Sequence, residues 1–118
     1  MKRHLDREEA FKKIFALGFY DDFTELPTFS MEEEALFVRE IFKATTQNLS
    51  EIDLKIQKNL NKWKFDRINK VDLALIRLAI CEINFLKTPP AVAISEVLVI
   101  AEDYNGNKTF INGILANI

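Results

Sequence analysis

Apolar residues recur at three- and four-residue spacing along most of the chain, a periodicity that predicts helices rather than strands. The first helix is expected from about Asp6 to Tyr20, with Ala10, Phe11, Ile14, Phe15 and Gly18 on one face. Asp6 stands as its N-cap, and Glu9 three residues on is the return arm of a capping box. Residues 21–29 read as a loop broken by Pro27. Ser30-Met31-Glu32-Glu33 is a second capping box, and Glu32 to Glu34 stand where a helix dipole favours carboxylates. That second helix is expected to continue through Ala35, Leu36, Val38, Ile41 and Phe42 to about Gln47. Asn48 or Ser50 caps a third, which carries Ile52, Ile56 and Leu60 at four-residue intervals. Residues 61–69, with Trp63 and Phe65, form a mixed connection with short helical turns. A fourth helix from about Lys70 to Leu86 is apolar nearly all round, which makes it the most buried element. Thr88-Pro89-Pro90 stops it, and a fifth covers about Pro90 to Tyr104. Asn105-Gly106-Asn107 is a turn, and Lys108 to Ile118 makes a short last helix. There is no internal repeat, low-complexity tract or domain boundary, so residues 1–118 are expected to form a single domain.

Composition sharpens this to an all-α fold. Three glycines and three prolines in 118 residues are too few for the many turns of an all-β protein. The lone cysteine, Cys81, excludes an internal disulfide framework and fits a reducing cytosol. No apolar run approaches the roughly 20 residues that span a bilayer, and the N-terminus lacks the apolar run of a secretory signal. A cytoplasmic protein with no membrane association is therefore expected.

The formal net charge of −2 gives no whole-molecule attraction for nucleic acid, but the charge is segmented. Residues 1–13 hold Lys2, Arg3, Arg7, Lys12 and Lys13 against Asp6, Glu8 and Glu9. Residues 51–77 are also net basic, and residues 20–36 carry acids without a base. Such a chain can present a basic face, although solvated helix surfaces would leave the same trace. Enzyme chemistry has little to work with. His4 is the only histidine, and Cys81 sits in the most apolar helix without an activating base. There is no CxxC, HExxH or phosphate-cradling glycine loop. Zinc would need nitrogen or sulfur donors that the chain does not supply. Neither a catalytic residue, a metal site nor a cofactor is expected.

The C-terminal third carries the most specific pattern. Val71-Asp72-Leu73-Ala74-Leu75-Ile76-Arg77-Leu78-Ala79-Ile80-Cys81-Glu82-Ile83 is followed by Pro90-Ala91-Val92-Ala93-Ile94-Ser95-Glu96, then by Thr109-Phe110-Ile111-Asn112-Gly113-Ile114-Leu115. This resembles the NusB family of bacterial transcription antitermination factors, whose pattern is L-R-x-A-x-x-E-L, then P-x-x-V-A-I-N-E-A, then F-V-N-G-V-L. Arg7-Glu8-Glu9-Ala10-Phe11-Lys12-Lys13-Ile14-Phe15 is similar to the family's A-R-E-x-A-x-Q-x-L-Y segment, and Trp63 falls where many members place an aromatic.

The resemblance implies a NusB-like fold of about six to seven helices in two small packed bundles. It implies binding to boxA-type single-stranded RNA of ribosomal RNA transcripts. The implied partner is the ribosomal protein also called NusE, within an antitermination complex on RNA polymerase. It implies RNA-contacting positions at Lys2, Arg3, Arg7, Lys12, Phe110 and Asn112, and partner-facing positions at Arg77, Cys81 and Glu82. Arg77 could instead pair with Asp72 or Glu82, Phe110 could anchor the core, and Asn112-Gly113 could serve backbone geometry and close helix packing. Arg3 and Arg7, four apart, share a helix face if the helix reaches that far back.

Departures from the family pattern point the other way. Its run of four or five arginines is thinned to about two, which predicts a shallower salt dependence, by close to one unit of slope per lost phosphate contact. Cys81 replaces a usual aromatic, Ser95 replaces the asparagine of V-A-I-N-E, and the 104–110 connection is short. These changes favour an alternative, a NusB-fold protein-interaction module or homodimer with weakened RNA binding. The non-catalytic RNA-binding domain of a ribosomal RNA methyltransferase would share the fold; it is not the expected reading unless the chain is a fragment, because these 118 residues hold no cofactor-binding domain.

Overall fold

From Asp72 to Glu82, eleven consecutive residues are buried, a run that only a helix surrounded on every side can give. They belong to α4 (Lys70–Phe85), around which the computed structural model arranges the other helices. The structure describes residues 2–20, 34–60 and 64–118. Within them lie α1 (Lys2–Leu17), α2 (Leu36–Gln47), α3 (Leu49–Lys58), a single 3-10 turn (Phe65–Arg67), α4, α5 (Pro90–Asp103) and α6 (Lys108–Leu115). No strand occurs among the described residues. The all-α expectation holds.

The N-terminal helices α1, α2 and α3 pack on one side of α4, and α5 and α6 pack on another. α4 thus belongs to both groups, and one contiguous core runs through them. Phe11, Ile14 and Leu17 of α1 join Ile41 of α2, Ile52 and Ile56 of α3, Leu75, Ile76, Leu78 and Ile80 of α4, Ile100 of α5 and Ile111 of α6. Helix polarity alone explains α2, whose buried Val38, Ile41 and Thr45 repeat at three and four residues.

Local signals place the C-terminal helices closely. The Asn69 side chain caps α4 by accepting from the Val71 N–H at 2.8 Å, and Pro90 occupies the first turn of α5. Asn107 caps α6 by accepting from the Phe110 N–H at 3.0 Å. The α5–α6 turn is a left-handed reversal, but its positive φ of 63° belongs to Asn105, not to the glycine beside it. Gly106 is required by proximity instead. Its N–H closes onto the Ala101 carbonyl at 2.8 Å, as in a Schellman ending. A Cβ at Gly106 would stand 3.0 Å from the Ala101 methyl and 3.1 Å from an Asp72 oxygen.

The N-terminal boundaries need correction. α1 begins at Lys2, four residues before the expected start, so Asp6 is inside the helix and the Asp6–Glu9 capping box does not form. The early turn is held by tertiary contacts of Arg3 and His4, which no local signal announces. α2 begins only at Leu36, and Glu34 precedes it, ion-paired at 2.6 Å with Lys13. The Ser30 capping box and Trp63 lie outside the described residues. Asn48 does not cap α3 through its side chain, which donates back to the Ala44 carbonyl at 2.8 Å and closes α2. Leu60 falls beyond α3 and packs against the core from there.

Candidate nucleic-acid interface

α1 runs alongside α5 in the same direction. His4 meets Glu96 at its first turn, and Glu8 accepts a hydrogen bond from the Tyr104 hydroxyl at 3.2 Å one turn further on. Phe11 packs edge-on against Tyr104 with centroids 4.8 Å apart. The basic segment is thereby carried to the turn that leads into α6.

Within that segment the cations meet different fates. Arg7 is only 6% exposed. Its Nε and Nη2 donate to the two carboxylate oxygens of Glu82 at 2.8 and 2.9 Å, and its Nη1 donates to Glu96 at 3.2 Å. Burial alone would lower the guanidinium pKa, but hydrogen bonding and the charges of Glu82 and Glu96 outweigh it and raise it further. Glu82, fully buried on α4, also accepts from the Thr88 hydroxyl at 3.0 Å. His4 Nδ1 lies 2.8 Å from the other oxygen of Glu96. Arg7 is therefore the centre of a nearly buried network, with each of its three guanidinium nitrogens donating to a carboxylate.

Arg3 shares a helix face with Arg7, and both guanidiniums approach the Phe37 ring, at 3.8 and 5.4 Å, but Arg3 is exposed where Arg7 is buried. Arg3 has no carboxylate partner among the described residues. Lys12 is exposed and pairs with Glu9 at 3.2 Å and Glu8 at 3.9 Å. Exposed pairs at this helical spacing are weak and screened by solvent, so a phosphate could take Lys12 at little cost. The Lys2 side chain lies outside the described residues. On α6, Asn112 is exposed and Phe110 is half-buried against the core.

Arg77, Cys81 and Glu82, the positions the resemblance assigns to a partner, are all interior. Arg77 pairs with neither Asp72 nor Glu82. It holds Asp53 of α3 bidentately, Nε at 2.9 Å and Nη2 at 2.8 Å, tying α3 to α4. Burial pushes Asp53 up despite this partner. Cys81 is fully buried with its thiol 3.6 Å from the Ile41 carbonyl, and burial pushes it up to about 11, so it remains a protonated packing residue. Gly113 does not serve close packing, since a Cβ there would meet nothing within 4 Å, and its φ is negative. Sequence reasoning missed Glu96 and Phe37, which decide which arginine is free. Glu96 stands within the V-A-I-x-E run, but nothing local links it to a residue 89 positions away.

The class defined by these features is an all-helical protein built on one buried helix, with exposed cations beside half-buried aromatic rings and no cluster of potential metal ligands among the described residues. The NusB family model matches residues 4–118. Curated relatives that the chain resembles bear the name Transcription antitermination protein NusB. That of Listeria welshimeri is 36% identical over 123 residues, covering all of this chain and 96% of its own length. That of Clostridium novyi is 32% identical over 130 residues, covering all of this chain and 98% of its own. Among solved structures, T. maritima NusB superposes with a TM-score of 0.79 at 32% identity, covering 98% of this chain and 88% of that one. The chain belongs to the NusB family.

Proposed function

We propose that this chain is a transcription antitermination factor that binds boxA-type single-stranded RNA of ribosomal RNA transcripts together with ribosomal protein NusE, within an antitermination complex on RNA polymerase. Family membership over nearly the whole chain carries the reading. Arg3 and Lys12, with Lys2, supply phosphate contacts, while Phe110 and Asn112 meet bases by stacking and edge hydrogen bonds. Arg7 is a positioning residue, because Glu82 and Glu96 occupy its donors. Arg77, Cys81 and Glu82 act on NusE through the helices they brace, since all three are interior. The single domain spans residues 1–118.

Fluorescence anisotropy of a labelled boxA RNA beside a scrambled one, each with and without NusE, tests this. Preference for boxA that NusE strengthens is expected. Equal binding to both RNAs overturns the RNA assignment. A second reading, a NusE-binding scaffold or homodimer with weak RNA affinity, is favoured by the carboxylates that neutralise Arg7, Lys12 and Lys13 within the molecule. It predicts NusE binding without boxA preference, and light scattering separates monomer from dimer.

A further inference from the structure

The first turn of α1 has no local reason to be helical. It begins with Lys2 and Arg3 and holds no acid, and cations at a helix start oppose the macrodipole. Two contacts from other elements hold it instead. From α2, the Phe37 ring centroid lies 3.8 Å from the Arg3 guanidinium carbon. From α5, Glu96 Oε2 stands 2.8 Å from His4 Nδ1. The other oxygen, Oε1, accepts from Arg7 Nη1 at 3.2 Å, so one carboxylate bridges the first two turns of α1. Both anchors are themselves fixed. Phe37 packs against the core, and Ala93 and Val97, on either side of Glu96 along α5, are fully buried. Neutralising Arg7 does not require Glu96, because Arg7 also holds both oxygens of Glu82 at 2.8 and 2.9 Å. The separate contribution of Glu96 is the tie to His4.

We propose that Glu96 and Phe37 are positioning residues for RNA binding: they pin the first turn of α1 from two elements and hold Lys2 and Arg3 ready for phosphate. The inference rests on the RNA reading above and adds to it two residues that act through their neighbours. A turn left free would have to be ordered on binding, and that cost is deducted from affinity. Ordering the backbone of a single residue corresponds to about tenfold. Charge makes the opposite prediction for Glu96. It is an acid beside the cations, and removing an acid from a surface that meets phosphate should tighten binding. A contribution to global stability alone changes affinity in neither direction well below the melting temperature.

The test is anisotropy of labelled boxA RNA at fixed salt with Glu96→Ala, made in the parent and in a Lys2→Ala/Arg3→Ala background. Binding should weaken about tenfold in the parent. It should change by less than about twofold where the two cations are absent, since the effect runs through them. Hydrogen exchange on the free chain reads the turn directly. The Asp6 and Arg7 amides, which donate to the Lys2 and Arg3 carbonyls in an α-helix, should lose protection. Phe37→Leu changes no charge and should weaken RNA in the same background-dependent way, which keeps the test decisive if Glu96→Ala does not fold. Unchanged or tighter binding by Glu96→Ala overturns the proposal, as does an equal loss in both backgrounds. A parent that does not bind boxA removes the RNA reading and this role with it, whereas a binding parent with indifferent variants removes the role alone.

Discussion

Arg3 and Arg7 are four residues apart on one helix, yet their environments assign them opposite tasks. Arg7→Ala would leave Glu82 fully buried without its cation, and unpairing a buried ion pair costs roughly 3–5 kcal/mol. Urea unfolding should show that loss, and Arg7→Lys should recover little because an ammonium cannot span both oxygens of Glu82. Arg3→Ala loses the stacking on Phe37 and should melt only slightly below the parent, but it should lower the slope of log affinity against log salt by about 0.7, one single-strand phosphate contact. Arg3→Ala binding RNA like the parent at every salt concentration would remove Arg3 from the interface. Asp72 supplies a pH signature. Burial raises its pKa despite the hydrogen bond from Asn107, so the folded state holds that proton more tightly than the unfolded chain. Between the two pKa values the folded state binds more protons, and this contribution to stability falls as pH rises. Asp72→Asn should remove that component, leaving a stability profile less favourable to acid than the parent's in the window just above the ordinary carboxylate range.

Among elements, α6 shows how far local chemistry reaches. Its start was legible because Asn107 caps within the helix itself, and Pro90 marks α5 equally locally. Its end was not, and Ala116 to Ile118 fall outside it, since fraying is decided by what the last turn packs on. Gly113 sits within α6, exposed, with open space around its α-carbon and no positive φ. Gly113→Ala should therefore stabilise the free protein by about 0.5–1 kcal/mol, raising its melting temperature. A concurrent drop in RNA affinity would mean that the glycine admits a ligand's close approach. α1 illustrates the reverse case, a helix extended by four residues through contacts with α2 and α5 that are remote in sequence.

For the whole molecule, α4 is the shared wall of two helical groups, so damage to it reaches both. Leu78 is completely buried there, and Leu78→Ala should cost roughly 2–5 kcal/mol. Because the core is contiguous, a single cooperative transition shifted to lower denaturant is expected, with signals from α1 and from α6 moving together. Two separated transitions would show that the groups on either side of α4 unfold independently. The central position of α4 was readable from its all-round apolar character. Arg77 within it was harder to interpret, because its partner Asp53 lies 24 residues earlier and only packing of α3 brings it near.

By itself the sequence determined that the protein is helical, which helix lies at the centre, where α4, α5 and α6 begin, and that the chain resembles the NusB family. Those properties depend on periodicity, caps and prolines, which act within a few residues. Only the tertiary structure decided which charges are spent and which are free. It closed Arg7 on Glu82 across 75 residues and left Arg3 on Phe37. The physical reason is that ion pairing and desolvation are set by distance in space, and helix packing makes neighbours of residues that no local pattern connects.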